Sequence, residues 1–481
     1  MREARHFILG AALLAGCAGA PSYQRPAADL PASWQGTPAQ GVKATGERWW
    51  TLFSDTRLDH LIDEALSHNQ DLALAAARVD EARALVRVTD SAQMPAVGAD
   101  FQGDRRRLSE RSATPFPSGA PLASTSYRAQ LNVAYEVDLW GRLRSASRAA
   151  RANLLATESA RETVRITLAT EVARGYFALV ALDAQVAATD SALRLRAESL
   201  ELQKVRAKAG LIDDLNLRQL EAEIAAAEAL LPVLHTNRTA QELALAVLAG
   251  RSPRAIVEGV ILRSPDQGEP PPTVIPEGLP SDLLLRRPDI AEAEAQLVGA
   301  NARIAEARAA LFPRIVLTGF LGSESAALGD LFSQPATTWS LAFALAQPIF
   351  QGGRLVAQID AVKARERQAL AQYQKALQGA FSEVRRALSA QVRAREVFDA
   401  ESARVTALAE ALRLARIRYA NGLLSQLEVI DFERNLLQAQ LNRVDALRAQ
   451  RAAVADIVKA FGGGWSGPGA APYAQGAIAK P

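Results

Sequence analysis

Three residues near the C-terminus carry the clearest charge chemistry in this chain, Glu428, Asp431 and Arg434, with apolar Leu427 beside them. Positions 427, 431 and 434 follow the i, i+4, i+7 spacing of one helix face, so Asp431 and Arg434 can pair along it. If copies of the chain surround an axis, each such side chain recurs once per copy. Asp431 then forms a ring of like charges, which repel unless protonated, cation-bound or paired with Arg434. Taken singly, the same two residues are an exposed ion pair worth well under about 1 kcal/mol. Other chemistry finds little material. His6, His60, His68 and His235 lack metal-ligand spacing, and His60 and His68 read as solvated positions on an amphipathic helix. No Gly-rich loop ends in Lys-Ser or Lys-Thr, so no phosphate cradle is expected. The chain therefore does not read as an enzyme, and no metal or cofactor is expected.

The single thiol is the exception. Met1 to Ala15 opens with Arg2 and Arg5 and continues as an apolar run from Phe7, too short to span a bilayer. It ends in Leu14-Ala15-Gly16-Cys17, the pattern of a bacterial lipobox, with residues 1–16 as signal peptide and Cys17 as the lipid acceptor. Ala18, where an aspartate would signal inner-membrane retention, favours the outer membrane. Acyl chains there supply anchoring without a spanning helix. One cysteine also excludes a disulfide framework. The composition, 49% hydrophobic with a net charge of +3, excludes intrinsic disorder and a nucleic-acid partner bound by bulk charge.

The elements that must position these residues are long. From Arg142 to Ala209 the only glycine is Gly175 and there is no proline; from Arg354 to Asn421 the only glycine is Gly379. A continuous helix of that length would reach roughly 100 Å. The segments Ile212 to Ala249 and Ser281 to Leu311 are each about half as long, so two stacked end to end match one long helix. The connection from Gly250 to Pro280 would then lie at mid-height as an equatorial belt. Alanine dominates the helices, which suits a wall one helix deep; an ordinary long coiled coil is the alternative.

Between helices the periodicity changes from 3.6 to 2. Tyr127, Ala129, Leu131, Val133, Tyr135, Val137 and Leu139 alternate with polar or small residues, and Trp339, Leu341, Phe343 and Leu345 repeat the pattern. Such alternation suits a strand with one face to lipid and one to water. Weaker strands, Val97 to Arg105 and Arg314 to Leu321, precede them, giving four strands per chain. No later segment is apolar enough for a transmembrane helix, so any crossing must use strands. Four strands cannot close; two chains would give eight and three would give twelve.

Self-comparison adds a repeat. Val79 to Pro95 lies over Leu297 to Pro313, Trp140-Gly141-Arg142-Leu143 over Gly352-Gly353-Arg354-Leu355, and Val205 to Leu217 over Ile417 to Val429. The matches are collinear, and one insertion around Thr114 to Ser126 accounts for the change of offset. The expected organisation is a lipidated extended segment (17–54), repeat 1 (55–249, hairpin 96–140), the connection (250–280), repeat 2 (281–461, hairpin 314–350) and a disordered tail (462–481).

These residues resemble the outer-membrane factors, or outer-membrane efflux proteins, of the lipoprotein (NodT-like) class. The resemblance runs from Cys17 to about Trp465. It rests on Tyr23-Gln24-Arg25-Pro26 to Trp34, Trp49-Trp50, Arg286-Arg287-Pro288-Asp289-Ile290, Gln347-Pro348-Ile349-Phe350-Gln351-Gly352-Gly353-Arg354, Arg418-Tyr419-Ala420-Asn421-Gly422 and Gly462-Gly463-Gly464-Trp465. It implies a mainly α fold with a membrane β-barrel: a homotrimer with a twelve-stranded barrel in the outer membrane and a long periplasmic α-helical barrel. It also implies a periplasmic adaptor and an inner-membrane resistance-nodulation-division transporter as partners, and passive conduction of drugs or other solutes outward. Aligned residue by residue, Asp431, Arg434 and Glu428 match gate positions, Leu427 an apolar constriction, and Tyr419 a tyrosine that helps hold the closed state. Gly210, Leu211, Gly422 and Leu423 match the turns where adaptors dock; where some members carry an arginine this chain has Leu424. A duct for protein secretion of type I kind keeps the same fold, and a lipid-anchored coiled-coil scaffold is the reading without a pore.

Overall fold

Strand and helix boundaries follow the change of period closely. Alternating residues build β2 (Ala96–Arg107) and β3 (Ala123–Val137), and later β5 (Arg314–Ser325) and β6 (Thr337–Ala346). The 3.6-residue pattern builds α1 (Thr56–His68), α2 (Gln70–Ser91), α3 (Arg142–Lys208), α4 (Asp214–Leu248), α6 (Pro288–Ala309), α7 (Arg354–Ala420) and α8 (Gln426–Ala460). The connection contributes a short helix, α5 (Pro253–Glu258), and a two-residue strand, β4 (Val274–Ile275), which pairs in parallel with β1 (Val42–Lys43). The computed structural model describes residues 23–32, 42–43, 46–111, 121–210, 213–265, 269–275 and 286–464. The signal peptide, Cys17, Trp34, Leu211, residues 281–285 and the tail from Trp465 lie outside the described residues.

One series of elements occurs twice. A helix of 22 residues is followed by two strands, a helix of 67 residues and a helix of 35 residues, first as α2, β2, β3, α3, α4 and then as α6, β5, β6, α7, α8. The first series is preceded by α1, which Asn69 separates from α2. Its side chain caps α2 by accepting from the Leu72 amide at 3.0 Å and donates to the Leu248 carbonyl at 3.0 Å.

The described residues divide into two compact units. The first holds residues 23–26, Arg78–Thr157 and Ala293–Tyr373. Its centre is an antiparallel sheet of order β2-β3-β5-β6, in unbroken register from Ala96↔Ala134 to Arg107↔Ala123. Parity therefore holds along every strand. One face carries Val97, Phe101, Leu131, Val133, Leu317, Leu321, Trp339, Leu341 and Phe343; the other carries Asp100, Gln102, Arg128, Gln130, Asn132 and Glu324. The apolar face is bare: Trp339 is 73% exposed, Leu341 80% and Phe343 77%. On the polar face Arg128 pairs with Glu324 at 2.9 Å. Below the sheet, Glu136 ties Arg142 at 2.8 Å to Arg314 at 2.6 Å, and Asp138 caps α3 through the amides of Leu143 and Arg144. Helices then pack through small residues, with Ala149, Ala152, Ala295 and Ala300 buried.

The second unit comprises the described residues of Ala27–Ala77, Glu158–Glu292 and Gln374–Pro481. Its largest core gathers Trp49, Trp50, Leu58, Ile62, Tyr176, Leu179, Leu245 and Val458. Burial of such side chains, at about 1.5–3 kcal/mol each, is its main stabilising term. Polar clamps tie the connection on. Asp55 accepts from the Tyr176 hydroxyl at 2.6 Å and the Ser264 hydroxyl at 2.9 Å. Gln391 exchanges two hydrogen bonds with the Val274 backbone, at 2.8 and 2.9 Å. Buried Arg287 donates to the Ala460 carbonyl at 2.9 Å and pairs with Asp289 and Glu383, both at 2.7 Å.

Candidate functional site

The second unit holds the two turns that join long helix to return helix. At the end of α7 the Gly422 amide donates to the Tyr419 carbonyl at 3.0 Å and the Leu423 amide to the Arg418 carbonyl at 2.9 Å. This double closure needs a left-handed residue, and Gly422 supplies it at φ 73°. Gly210 ends α3 at φ 70°, its amide donating to the Ala207 carbonyl at 2.9 Å. The return helices start from side-chain caps: Asp213 accepts from the Asn216 amide at 3.0 Å, and Ser425 caps α8. Leu423 is left 74% exposed at the tip.

Just inside the turn a polar cluster joins residues more than two hundred positions apart. The Tyr419 hydroxyl accepts from Gln203 Nε2 at 3.0 Å and from Arg206 at 3.2 Å, whose guanidinium stands 5.8 Å from the Tyr419 ring centre. Gln203 also donates to Gln426 Oε1 at 3.2 Å. Gln203 and Gln426 are both buried, so these bonds are sheltered from water. Neither glutamine, nor Arg206, was expected from the sequence. A signal existed: Leu193, Arg196, Leu200 and Gln203 share the inward stripe of α3, and a polar residue on such a stripe needs a partner.

Further along α8, Val429 and Ile430 are buried, and Ile430 packs on Leu220 and Ile224. The other face carries Leu427 and the charged pair. Arg434 Nη2 stands 2.8 Å from Asp431 Oδ1, and Nη1 stands 3.8 Å from Glu223. Glu223 extends the network to buried Arg196, which donates to the Glu223 carbonyl at 3.1 Å. Arg416 and Glu433 pair at 2.8 Å beside a cavity of about 360 Å³ that Leu195, Arg196, Leu412 and Arg443 also line. The structure thus joins Asp431 to Arg434 and attaches Tyr419 to α3. Leu427 stands exposed without a polar partner. Glu428 is engaged locally: its carboxylate accepts from the Ser425 amide at 2.9 Å and hydroxyl at 2.8 Å. Those two bonds hold its carboxyl below the usual carboxylate range. Leu211 lies outside the described residues.

Among the described residues no group of three or more His, Cys, Asp or Glu side chains is placed to hold a metal ion, and no helix is long and apolar enough to cross a membrane. His60, His68 and His235 are exposed. Apolar surface is displayed instead on the four-stranded sheet, and charge inside the helical turn.

The family model described as outer membrane efflux protein matches this chain over residues 61–251 and again over 279–463. The chain belongs to the outer membrane efflux protein family. It is 36% identical over 463 residues to the solvent efflux pump outer membrane protein SrpC of Pseudomonas putida, covering 94% of this chain and 97% of that one. It is 33% identical over 461 residues to the cation efflux system protein CusC of Escherichia coli, covering 94% and 96%. Among solved structures, the open state of the MtrE outer membrane channel of Neisseria gonorrhoeae superposes with a TM-score of 0.83 at 32% identity, covering 93% of this chain and 98% of that one. As a member of the outer membrane efflux proteins, the chain is an outer-membrane transport component that extends into the periplasm, in a family of channels rather than enzymes.

Proposed function

We propose that three copies of this chain form the exit duct of a tripartite efflux pump. The duct passively carries small solutes from a periplasmic adaptor and an inner-membrane resistance-nodulation-division transporter to the exterior. The observation that carries the reading is the open four-stranded sheet. Among the described residues its edge strands β2 and β6 each lack a partner on their outer side, and its apolar face is bare. Unpaired backbone groups are not tolerated in lipid, so the edges must be closed by other copies. Twelve strands leave a water-filled lumen, whereas eight would be filled by their own side chains. The polar face, with Asp100, Gln102, Arg128, Gln130, Asn132 and Glu324, then lines the channel.

In this reading the Tyr419 cluster and the Asp431–Arg434 pair form the periplasmic gate, with Leu427 as an apolar collar and Glu428 shaping the start of α8. Gly210, Leu211, Gly422 and Leu423 form the adaptor contact, and Cys17 carries the lipid. The relatives' names cover solvents and cations, so solute choice rests with the pump rather than the duct. The test is direct. Purified protein should have the mass of a trimer and give discrete single-channel steps in planar bilayers. A monomer that never conducts supports the scaffold reading and sinks the duct.

A further inference from the structure

The apolar face of the sheet stops abruptly at the end of β2 farthest from the helices, where the strand turns basic. Residues 105, 106 and 107 are all arginine, and all three are exposed. Because the β2–β3 register is unbroken, parity assigns their faces. Arg105 and Arg107 share the face of Val97 and Phe101, whereas Arg106 shares the face of Asp100, Gln102 and Asp104. Between the apolar rows and the arginines lies Tyr127. It pairs with Gly103, and its ring comes within 3.1 Å of the place a Cβ would take there.

Heights decide what this arrangement meets. From Val137 to Tyr127, β3 covers about 34 Å along the strand, or about 25 Å along the membrane normal at a tilt of about 45°. That equals the apolar band of an outer-membrane barrel. Tyr127 therefore marks the outer interface, where aromatic residues settle. Arg105 sits about 5 Å above it and Arg107 about 10 Å above it. Thr125 lies opposite Arg105, and Ser325 pairs with Tyr127, adding hydroxyl donors on the same face. Among the described residues Arg107 has only a loose pairing with Glu110, at 3.5 Å between two exposed side chains. Among the described residues no carboxylate pairs with Arg105.

We propose that Arg105 and Arg107, with Thr125 and Ser325, form an outward-facing site for the phosphate groups of an anionic outer-leaflet lipid, one site per copy. Guanidinium forks match phosphate oxygens, and the apolar rows beneath receive the acyl chains of the same molecule. Counted from the matched prolines Pro95 and Pro313, the second hairpin carries Ser323 and Ser325 where the first carries Arg105 and Arg107, so the arginine pair belongs to the first hairpin. The site rests on the barrel reading given above, which sets both orientation and depth.

The test uses the full-length protein in detergent, with native mass spectrometry of bound lipid. The probes are bis-phosphorylated lipid A, the same lipid without phosphates, and phosphatidylcholine. Wild type should retain lipid A and lose it on removal of the phosphates. At about a fivefold effect per surface arginine, R105Q/R107Q should weaken retention roughly thirtyfold. R106Q, facing the lumen, should leave retention unchanged and alter ion selectivity. Equal retention by wild type and R105Q/R107Q, or an equal loss in R106Q, overturns the site. Retention undone by millimolar inorganic phosphate overturns the two-part lipid site in favour of a simple anion site. Conductance measured on the same preparations separates the two levels. Channels that conduct but do not select lipid A refute the site alone, and wild type that never conducts refutes the barrel and the site together.

Discussion

Tyr419→Phe isolates the hydroxyl that joins α7 to α3. The substitution keeps the ring, so the Arg206 guanidinium retains its place 5.8 Å from the ring centre. It removes the acceptor for Gln203 at 3.0 Å and for Arg206 at 3.2 Å. Gln203 still donates to Gln426, so no buried donor is stranded outright. The Gln203 bond is neutral and worth about 1 kcal/mol net; the Arg206 bond is charged but half-exposed, so about 1 kcal/mol is also the fair figure. If the cluster latches the proposed gate, the two bonds together favour its closed arrangement by about 2 kcal/mol per copy, a factor of roughly 30 in population. Single-channel recording reads this directly as the fraction of time spent in the high-conductance state. Gln203→Met, which keeps length while removing the donor, should shift the same fraction in the same direction. If both variants assemble normally and the open fraction moves by less than about threefold, the cluster is a structural contact and not a latch.

The remaining predictions concern charge and backbone. Asp431→Ala should raise single-channel conductance or admit vancomycin-sized solutes into cells; unchanged conductance in a normal trimer removes Asp431 from the gate. Gly462→Ala places a Cβ 2.0 Å from the Arg286 carbonyl oxygen at φ 92°, so thermal unfolding should show a loss of at least about 2 kcal/mol. A melting temperature equal to wild type contradicts that packing. Burial and the hydrogen bond to Asp55 push the Tyr176 hydroxyl up to about 12 from 10.0. Its folded value is raised, so its contribution is complete below pH 10.0 and is lost as pH rises toward about 12. Alkaline unfolding followed across that window should flatten in Tyr176→Phe, and an identical pH profile argues against the linkage.

Local patterns were legible in the sequence because backbone geometry repeats over a few residues. The unbroken run from Arg142 ends in a helix of 67 residues, and the alternation at Tyr127 to Val137 places one apolar face in register with Leu317, Leu321 and Trp339. The charged pair was legible for the same reason, since 431 and 434 share a helix face, and they meet at 2.8 Å. Tyr419 was marked by family resemblance, but its partners were not. Gln203 and Arg206 lie on another helix, and no local period announces a contact across such a distance. Glu428 shows the opposite case. Ser425 to Glu428 is a capping-box spacing visible in the sequence, yet the residue was noted only for its charge.

By itself the sequence determined which stretches are helix or strand, which strand face is apolar, where the turns need glycine, and the family. Those follow from side-chain period, backbone freedom at glycine and residue motifs, all read along the chain. Tertiary structure alone decided that two hairpins separated by about 180 residues join edge to edge as β2-β3-β5-β6. It alone decided that Glu136 bridges Arg142 and Arg314, and that Tyr419 is held by Gln203. The physical reason is the same in each case. Backbone edges and buried polar groups must be paired, but the identity of the partner depends on which distant segments the packed helices bring together.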